Sequence, residues 1–173
     1  MFDEKWSERH ITDSARRILE SIQYRADDRG LYVVDTAFIT TLVLWSLLLW
    51  ERKVGRVALE RMSIDPFDLA REVDRLLTEK AKEHPVVYDP RDQRLVFAKT
   101  GAPYQRWDLE TVLEPLLQQA EHEALALGHN YVGSEHLLLA VVQQADAGLT
   151  GLLREYGIGY SAVREAVLKV LGS

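Results

Sequence analysis

The chain has 173 residues, a formal net charge of -6, 47% hydrophobic and 28% charged residues, and no cysteine. That length and composition bound one soluble globule with a sizeable core. The acidic balance argues against nucleic-acid binding, which draws its affinity from clustered Lys and Arg, and the lack of Cys removes disulfides, thiolate catalysis and Cys-based zinc sites.

The start, Met1-Phe2-Asp3-Glu4-Lys5-Trp6, is charged and has no apolar signal-peptide core, so a cytoplasmic location is expected. From Asp13 to about Arg29, apolar residues recur at Ala15, Ile18, Leu19, Ile22 and Ala26, the stripe of an amphipathic helix. Gly30 closes it, and Asp35 offers an N-cap for a second helix. That helix contains the most apolar run of the chain, Phe38 to Trp50, whose 13 residues fall short of the roughly 20 that span a bilayer. A buried core helix is expected and no membrane partner, with Trp45 and Trp50 as core anchors of which one is a candidate docking aromatic. A short helix fits around Lys53 to Arg61. Asp65-Pro66 then opens a closing helix with an N-cap and a proline at its first position, its apolar face built by Leu69, Ala70, Val73, Leu76 and Leu77.

Residues 78–107 break the helical pattern. His84-Pro85 ends the helix, and β-prone Val86-Val87-Tyr88 and Arg94-Leu95-Val96-Phe97 flank the turn Asp89-Pro90-Arg91-Asp92, which together read as a β-hairpin. Beyond it the first pattern returns. Leu113, Leu116, Leu117, Ala120 and Ala124 repeat the opening stripe, Gly128 takes the place of Gly30, and Ser134-Glu135-His136-Leu137-Leu138 answers Asp35-Thr36-Ala37-Phe38-Ile39. A short helix around Gly148 to Tyr156 and a closing one with Val163, Ala166, Val167, Val170 and Leu171 complete the copy. Pro115 sits inside the stripe, where a mid-helix proline costs about 3 kcal/mol, so this helix is expected to start near Glu114 after a short turn over 108–113. The expected fold is all-α: one domain over 1–173, with a four-helix repeat at about 11–77, the hairpin linker at 78–107 and a second repeat at 108–172. The repeats pair about a pseudo-two-fold axis because neither buries its apolar face alone.

The run LGHNYVGSEHLLLAVV, with Leu152-Leu153-x-x-Tyr156-Gly157-Ile158 after it, resembles the Clp repeat of the N-terminal domains of Clp-family AAA+ unfoldases. The likeness is close from about Leu113 to Gly172. Ile11 to Arg17 looks like the family's first-repeat start, but Arg29-Gly30-Leu31-Tyr32-Val33-Val34-Asp35 departs from its GHNYxGTEH-like loop. The resemblance implies a domain that docks substrate or adaptor proteins for an unfoldase, and, in some members, holds arginine or phosphoarginine with the acidic residue after each helix N-cap. The implied binding residues are Glu135 and Ser134 in the second copy and Asp35 and Thr36 in the first, with Thr36 standing where Glu135 stands. From the residues alone, Gly128 and Gly133 shape the loop, Ser134 caps the next helix and Glu135 favours its positive end.

No G-x-x-x-x-G-K-[ST] occurs, so no ATPase chemistry is expected of these residues. His122, His129 and His136 are spaced by seven, but an exposed helix face, a loop and a helix start need not converge, and neither HExxH nor Cys supports zinc. Gly133-Ser134-Glu135 reads as a helix start and not as a nucleophile on a strained turn. The expectation is a free-standing, non-catalytic module without metal or cofactor and with a protein partner. Its rivals are an N-terminal fragment of a full Clp ATPase, a sensor for arginine-like ligands and a metal-dependent enzyme.

Overall fold

The computed structural model describes residues 9–32, 35–50 and 52–172. Among the described residues lie eight helices: α1 (Asp13–Asp28), α2 (Thr36–Leu49), α3 (Val54–Arg61), α4 (Pro66–Glu83), α5 (Leu109–Ala126), α6 (Ser134–Gln144), α7 (Ala147–Glu155) and α8 (Tyr160–Leu171). A hairpin of β1 (Val86–Asp89) and β2 (Arg94–Phe97) separates α4 from α5. The fold is all-α, two four-helix repeats with the hairpin between them.

Helix α1 forms where the stripe predicts it. Thr12 accepts a bond from the Ala15 N–H, and Ala15, Ile18, Leu19, Ile22 and Ala26 are all buried. Gly30 takes a left-handed φ of 60°, which lets the Leu31 N–H reach the Ala26 carbonyl at 2.8 Å. Gly128 at φ 76° does the same after α5, where the His129 N–H reaches the Ala124 carbonyl at 2.9 Å. Both are glycine-terminated ends that satisfy otherwise orphaned carbonyls.

The apolar run of α2 is buried from Phe38 to Leu48 because α1, α4, α5 and α6 all pack against it. Thr40 and Thr41 survive there by donating their hydroxyls to the Thr36 and Ala37 carbonyls, each at 3.0 Å. Among the described residues no helix is long and apolar enough to cross a membrane. The repeats interlock through their later helices: α3 packs on α6 and α8, and α4 on α7. At the α3–α6 crossing the Gly55 N–H donates to the Ser134 hydroxyl at 3.1 Å. A Cβ on Gly55 would lie 2.7 Å from the Ser134 carbonyl oxygen, so only glycine permits this approach. Lys80 of α4 pairs with Asp146, the N-cap of α7.

Helix α5 differs from expectation. It begins at Leu109, not near Glu114, so Pro115 lies inside it. Asp108 fixes the first turn by accepting the Thr111 N–H at 3.2 Å and its hydroxyl at 2.5 Å, and Val112 and Leu113 are buried. Those anchors outweigh the one helical bond that proline cannot donate. The hairpin pairs Val86 with Phe97 through Asp89 with Arg94, and Gln93 turns it at φ 51°. Its inner edge is covered by the following segment, with Phe97 N–H on the Ala102 carbonyl and Tyr104 N–H on that of Leu95, both at 2.9 Å. Tyr104 packs edge-on against Tyr32, and Arg106 pairs with Asp27, which fasten the linker to the end of α1.

Candidate functional site

The loop from Gly128 to Gly133 carries the chemistry of the second repeat. It is held against the first repeat by His10 to Thr12: the Val132 N–H donates to the His10 carbonyl at 2.7 Å, and the Thr12 N–H to that of Val132 at 2.9 Å. Gly133, not Ser134, is the N-cap of α6. Ser134 is the first helical residue, and its hydroxyl accepts from Gly55 instead of capping. The helix start is closed from the other direction, by the His136 Nδ1, which accepts the Gly133 N–H at 2.8 Å. This is the reciprocal half of a capping box, with imidazole in the place usual for Glu or Gln.

That bond settles the tautomers. With Nδ1 an acceptor, neutral His136 carries its proton on Nε2, which lies 2.9 Å from the His129 Nδ1 and donates to it. Burial, and after it the nearby His129, push the His136 imidazole down to about 4. Tyr131 stacks flat on His129 with ring centroids 4.9 Å apart, and edge-on to His136. The spacing of seven therefore brings His129 and His136 together, and leaves His122 exposed on α5.

Glu135 is 3% exposed and folds back over Gly133, whose own Cβ would lie 2.6 Å from both carboxylate oxygens. Burial raises its pKa, against a bond from its own N–H, the nearby His129 and the Ser134 hydroxyl, which favour the charged form. Among the described residues no lysine or arginine pairs with it; the Nδ1 of the neutral His136 ring lies 3.7 Å from its carboxylate. His129, Glu135 and His136 each bring a potential ligand atom within 4.8 Å of the others, but His136 Nδ1 is already taken by Gly133 and its Nε2 by His129. Beside the cluster an open groove runs between His10, Glu121, Leu125, His129, Asn130 and Tyr131. Asp35 and Thr36 sit apart from all this, exposed at the start of α2, where Asp35 caps by accepting the Phe38 N–H at 2.7 Å.

Residues 109–173 match the model of the Clp repeat N-terminal domain. The chain carries a Clp-type N-terminal domain. It is 24% identical over 164 residues to the chaperone protein ClpB of Oceanobacillus iheyensis, and 23% identical over 164 residues to the negative regulator of genetic competence ClpC/MecB of Bacillus subtilis. In each case the match covers 94% of this chain and 17% of the relative. A probable ATP-dependent Clp protease ATP-binding subunit of Chlamydia pneumoniae is 35% identical over 133 residues, 76% of this chain and 14% of the relative. The chain thus spans about a sixth of these relatives. The N-terminal domain of ClpD from Arabidopsis thaliana superposes with a TM-score of 0.54 at 16% identity, covering 95% of this chain and 96% of that one, which shows the shared fold.

Within this Clp domain the structure corrects the pairing of the repeats by one residue. The same interval separates Ala26 from Ala124, Gly30 from Gly128, Asp35 from Gly133 and Thr36 from Ser134, as judged by helix ends and caps. The positional counterpart of Glu135 is therefore Ala37, not Thr36, and Thr36 answers Ser134. The opposed order of the two loops, acid at the cap in one and after it in the other, had disguised this. Farther on, Leu59 answers Leu153, Ile64 answers Ile158 and Pro66 answers Tyr160, at an interval four residues shorter. The difference lies in the longer α2 and in its exit to α3, which carries Trp50.

Proposed function

We propose that the chain is a non-catalytic docking module of the Clp kind, which takes an arginine-bearing segment of a protein partner into the groove beside Glu135 and presents it to a Clp unfoldase or protease in the cytoplasm. One observation carries the reading: Glu135 is a buried carboxylate that no lysine or arginine of the described chain neutralises. A desolvated carboxylate gains most from a charge-assisted bond to a guanidinium, whose fork matches it. Stacked His129 and Tyr131 give an aliphatic arginine stem a flat wall on the way in. Ser134 serves the joint with Gly55, and Asp35 and Thr36 serve the start of α2, so recognition is assigned to one copy only.

Calorimetry with phosphoarginine and with free arginine tests this. Saturable binding to the native chain is expected, weakened at least about tenfold by Glu135→Gln and little changed by Thr36→Ala. No heat with either ligand, or equal affinity for native and Glu135→Gln proteins, contradicts it. Recovery of a Clp ATPase or protease subunit on the immobilised chain, lost in the same variant, is the expected result for the machine it serves.

A further inference from the structure

The repeats differ in the sign of a charge at one equivalent position. In the second repeat that position is Glu123, 2% exposed, whose carboxylate accepts from the Gln119 amide at 2.8 Å and from the Tyr160 hydroxyl of α8 at 2.6 Å. A carboxylate of α5 and a phenol of α8 thereby meet at this position. In the first repeat the position holds Arg25, Ser21 replaces Gln119, and Pro66, which answers Tyr160, brings no hydroxyl. The Arg25 guanidinium lies over both indoles, 5.6 Å from the ring centroids of Trp45 and of Trp50. Arg29 covers the Trp45 ring as well, at 5.2 Å, but it is committed to Asp74.

The result is an open cleft with Arg25, Trp45 and Trp50 at its base, the 73% exposed Tyr24 at its side, and Arg17, Glu20 and Asp28 around its mouth. Two shielded atoms there have no hydrogen-bond partner among the described residues, Arg25 Nε and Trp50 Nε1. Both are donors. Neither Arg25 nor Arg17 has a carboxylate partner among the described residues. Buried donors without acceptors are uncommon in folded proteins and mark a place where an acceptor belongs.

We propose that this cleft binds a peptide segment of a protein partner that presents an acidic side chain next to an aromatic one, the same two groups that Glu123 and Tyr160 bring together at the equivalent position of the second repeat. The carboxylate meets the guanidinium that lies over the two indoles, and the aromatic ring stacks on Tyr24 and Trp50. Glu20 and Asp28 at the mouth balance Arg17 and Arg25. A polyphosphate or nucleic acid therefore gains no net attraction, whereas a single carboxylate among neutral neighbours does. The site is separate from the Glu135 groove and does not rest on it.

The test is a titration of the isotope-labelled chain with the acetylated, amidated hexapeptide Gly-Ser-Glu-Tyr-Ser-Gly, followed by NMR at the Trp50 indole N–H and the Arg25 Nε–H. Both resonances are expected to move saturably. The peptide with Gln for Glu binds at least about tenfold more weakly, the penalty of losing a charge-assisted bond. Arg25→Lys, which keeps the charge but not the flat fork, weakens binding to a similar extent, while Glu135→Gln leaves it unchanged. Unmoved Trp50 and Arg25 resonances at millimolar peptide, equal affinity for the Glu and Gln peptides, or tighter binding of inorganic polyphosphate at the same resonances overturns the proposal. The comparison of the two peptides is made on the native protein, so it decides the matter even if Arg25→Lys does not fold.

Discussion

Gly55→Ala tests the interlocking of the two repeats. The added Cβ would stand 2.7 Å from the Ser134 carbonyl oxygen and 3.1 Å from its carbonyl carbon, and both are backbone atoms that no rotamer can remove. Overpacking of this kind costs about 1–3 kcal/mol, and backing α3 away loses roughly 1 kcal/mol more from the bond between the Gly55 N–H and the Ser134 hydroxyl. Against that, Ala is the better helix former by up to about 1 kcal/mol. The net expectation is a loss of about 2 kcal/mol, a fall in Tm of roughly 4–8 °C for a domain of this size. Gly151→Ala, in α7 where a Cβ meets nothing within 4 Å, carries the propensity gain alone and is expected to stabilise by about 0.5–1 kcal/mol. Urea unfolding of both variants makes the comparison. A Gly55→Ala protein as stable as the Gly151→Ala one refutes the close approach of α3 to α6.

Pro115→Ala restores a helical donor inside α5 and is expected to raise stability by about 1–3 kcal/mol in the same assay; a loss means that proline's fixed φ shapes the helix usefully. Ser63, left-handed at φ 61° where the second repeat has Gly157 at φ 69°, is expected to gain roughly 0.5–1 kcal/mol as Ser63→Gly, and no gain counts against strain there. Acid titration reads the His136 site. Because its folded pKa is depressed from 6.5 to about 4, the unfolded chain binds more protons between those values, and the stability present above pH 6.5 is lost as pH falls toward 4, by up to about 3 kcal/mol. Glu135, raised by burial, takes up its proton in the folded state first and opposes that loss, so Glu135→Gln is expected to show the steeper decline. Unfolding midpoints from pH 7 to 4 measure it, and parallel curves for the two proteins contradict the assignment.

Period and cap chemistry made most of the helices legible. The opening stripe, Gly30 and Gly128 as helix ends, Asp65-Pro66 as a start and Asp89-Pro90 in the hairpin turn all rest on local physics, which a sequence displays. Pro115 was misread because its cost is local, while the anchors that overrule it, buried Val112 and Leu113, are tertiary. Ser134 was misread for the same reason: its partner, Gly55, lies 79 residues away. The imidazole bond between His129 and His136 had a sequence signal in the spacing of seven, but a loop and a helix start have no common period, so their convergence had to be seen. Arg25 over Trp45 and Trp50 had none, since the pairing of an inserted turn with a neighbouring helix is written in no short pattern.

The number of arginine-type sites bears most directly on the central claim. With Glu135 in one repeat and Ala37 at its counterpart in the other, calorimetric titration with a phosphoarginine-bearing peptide is predicted to give one site per chain, weakened at least about tenfold by Glu135→Gln. Two equivalent sites, or equal affinity for the native and Glu135→Gln proteins, would contradict the account.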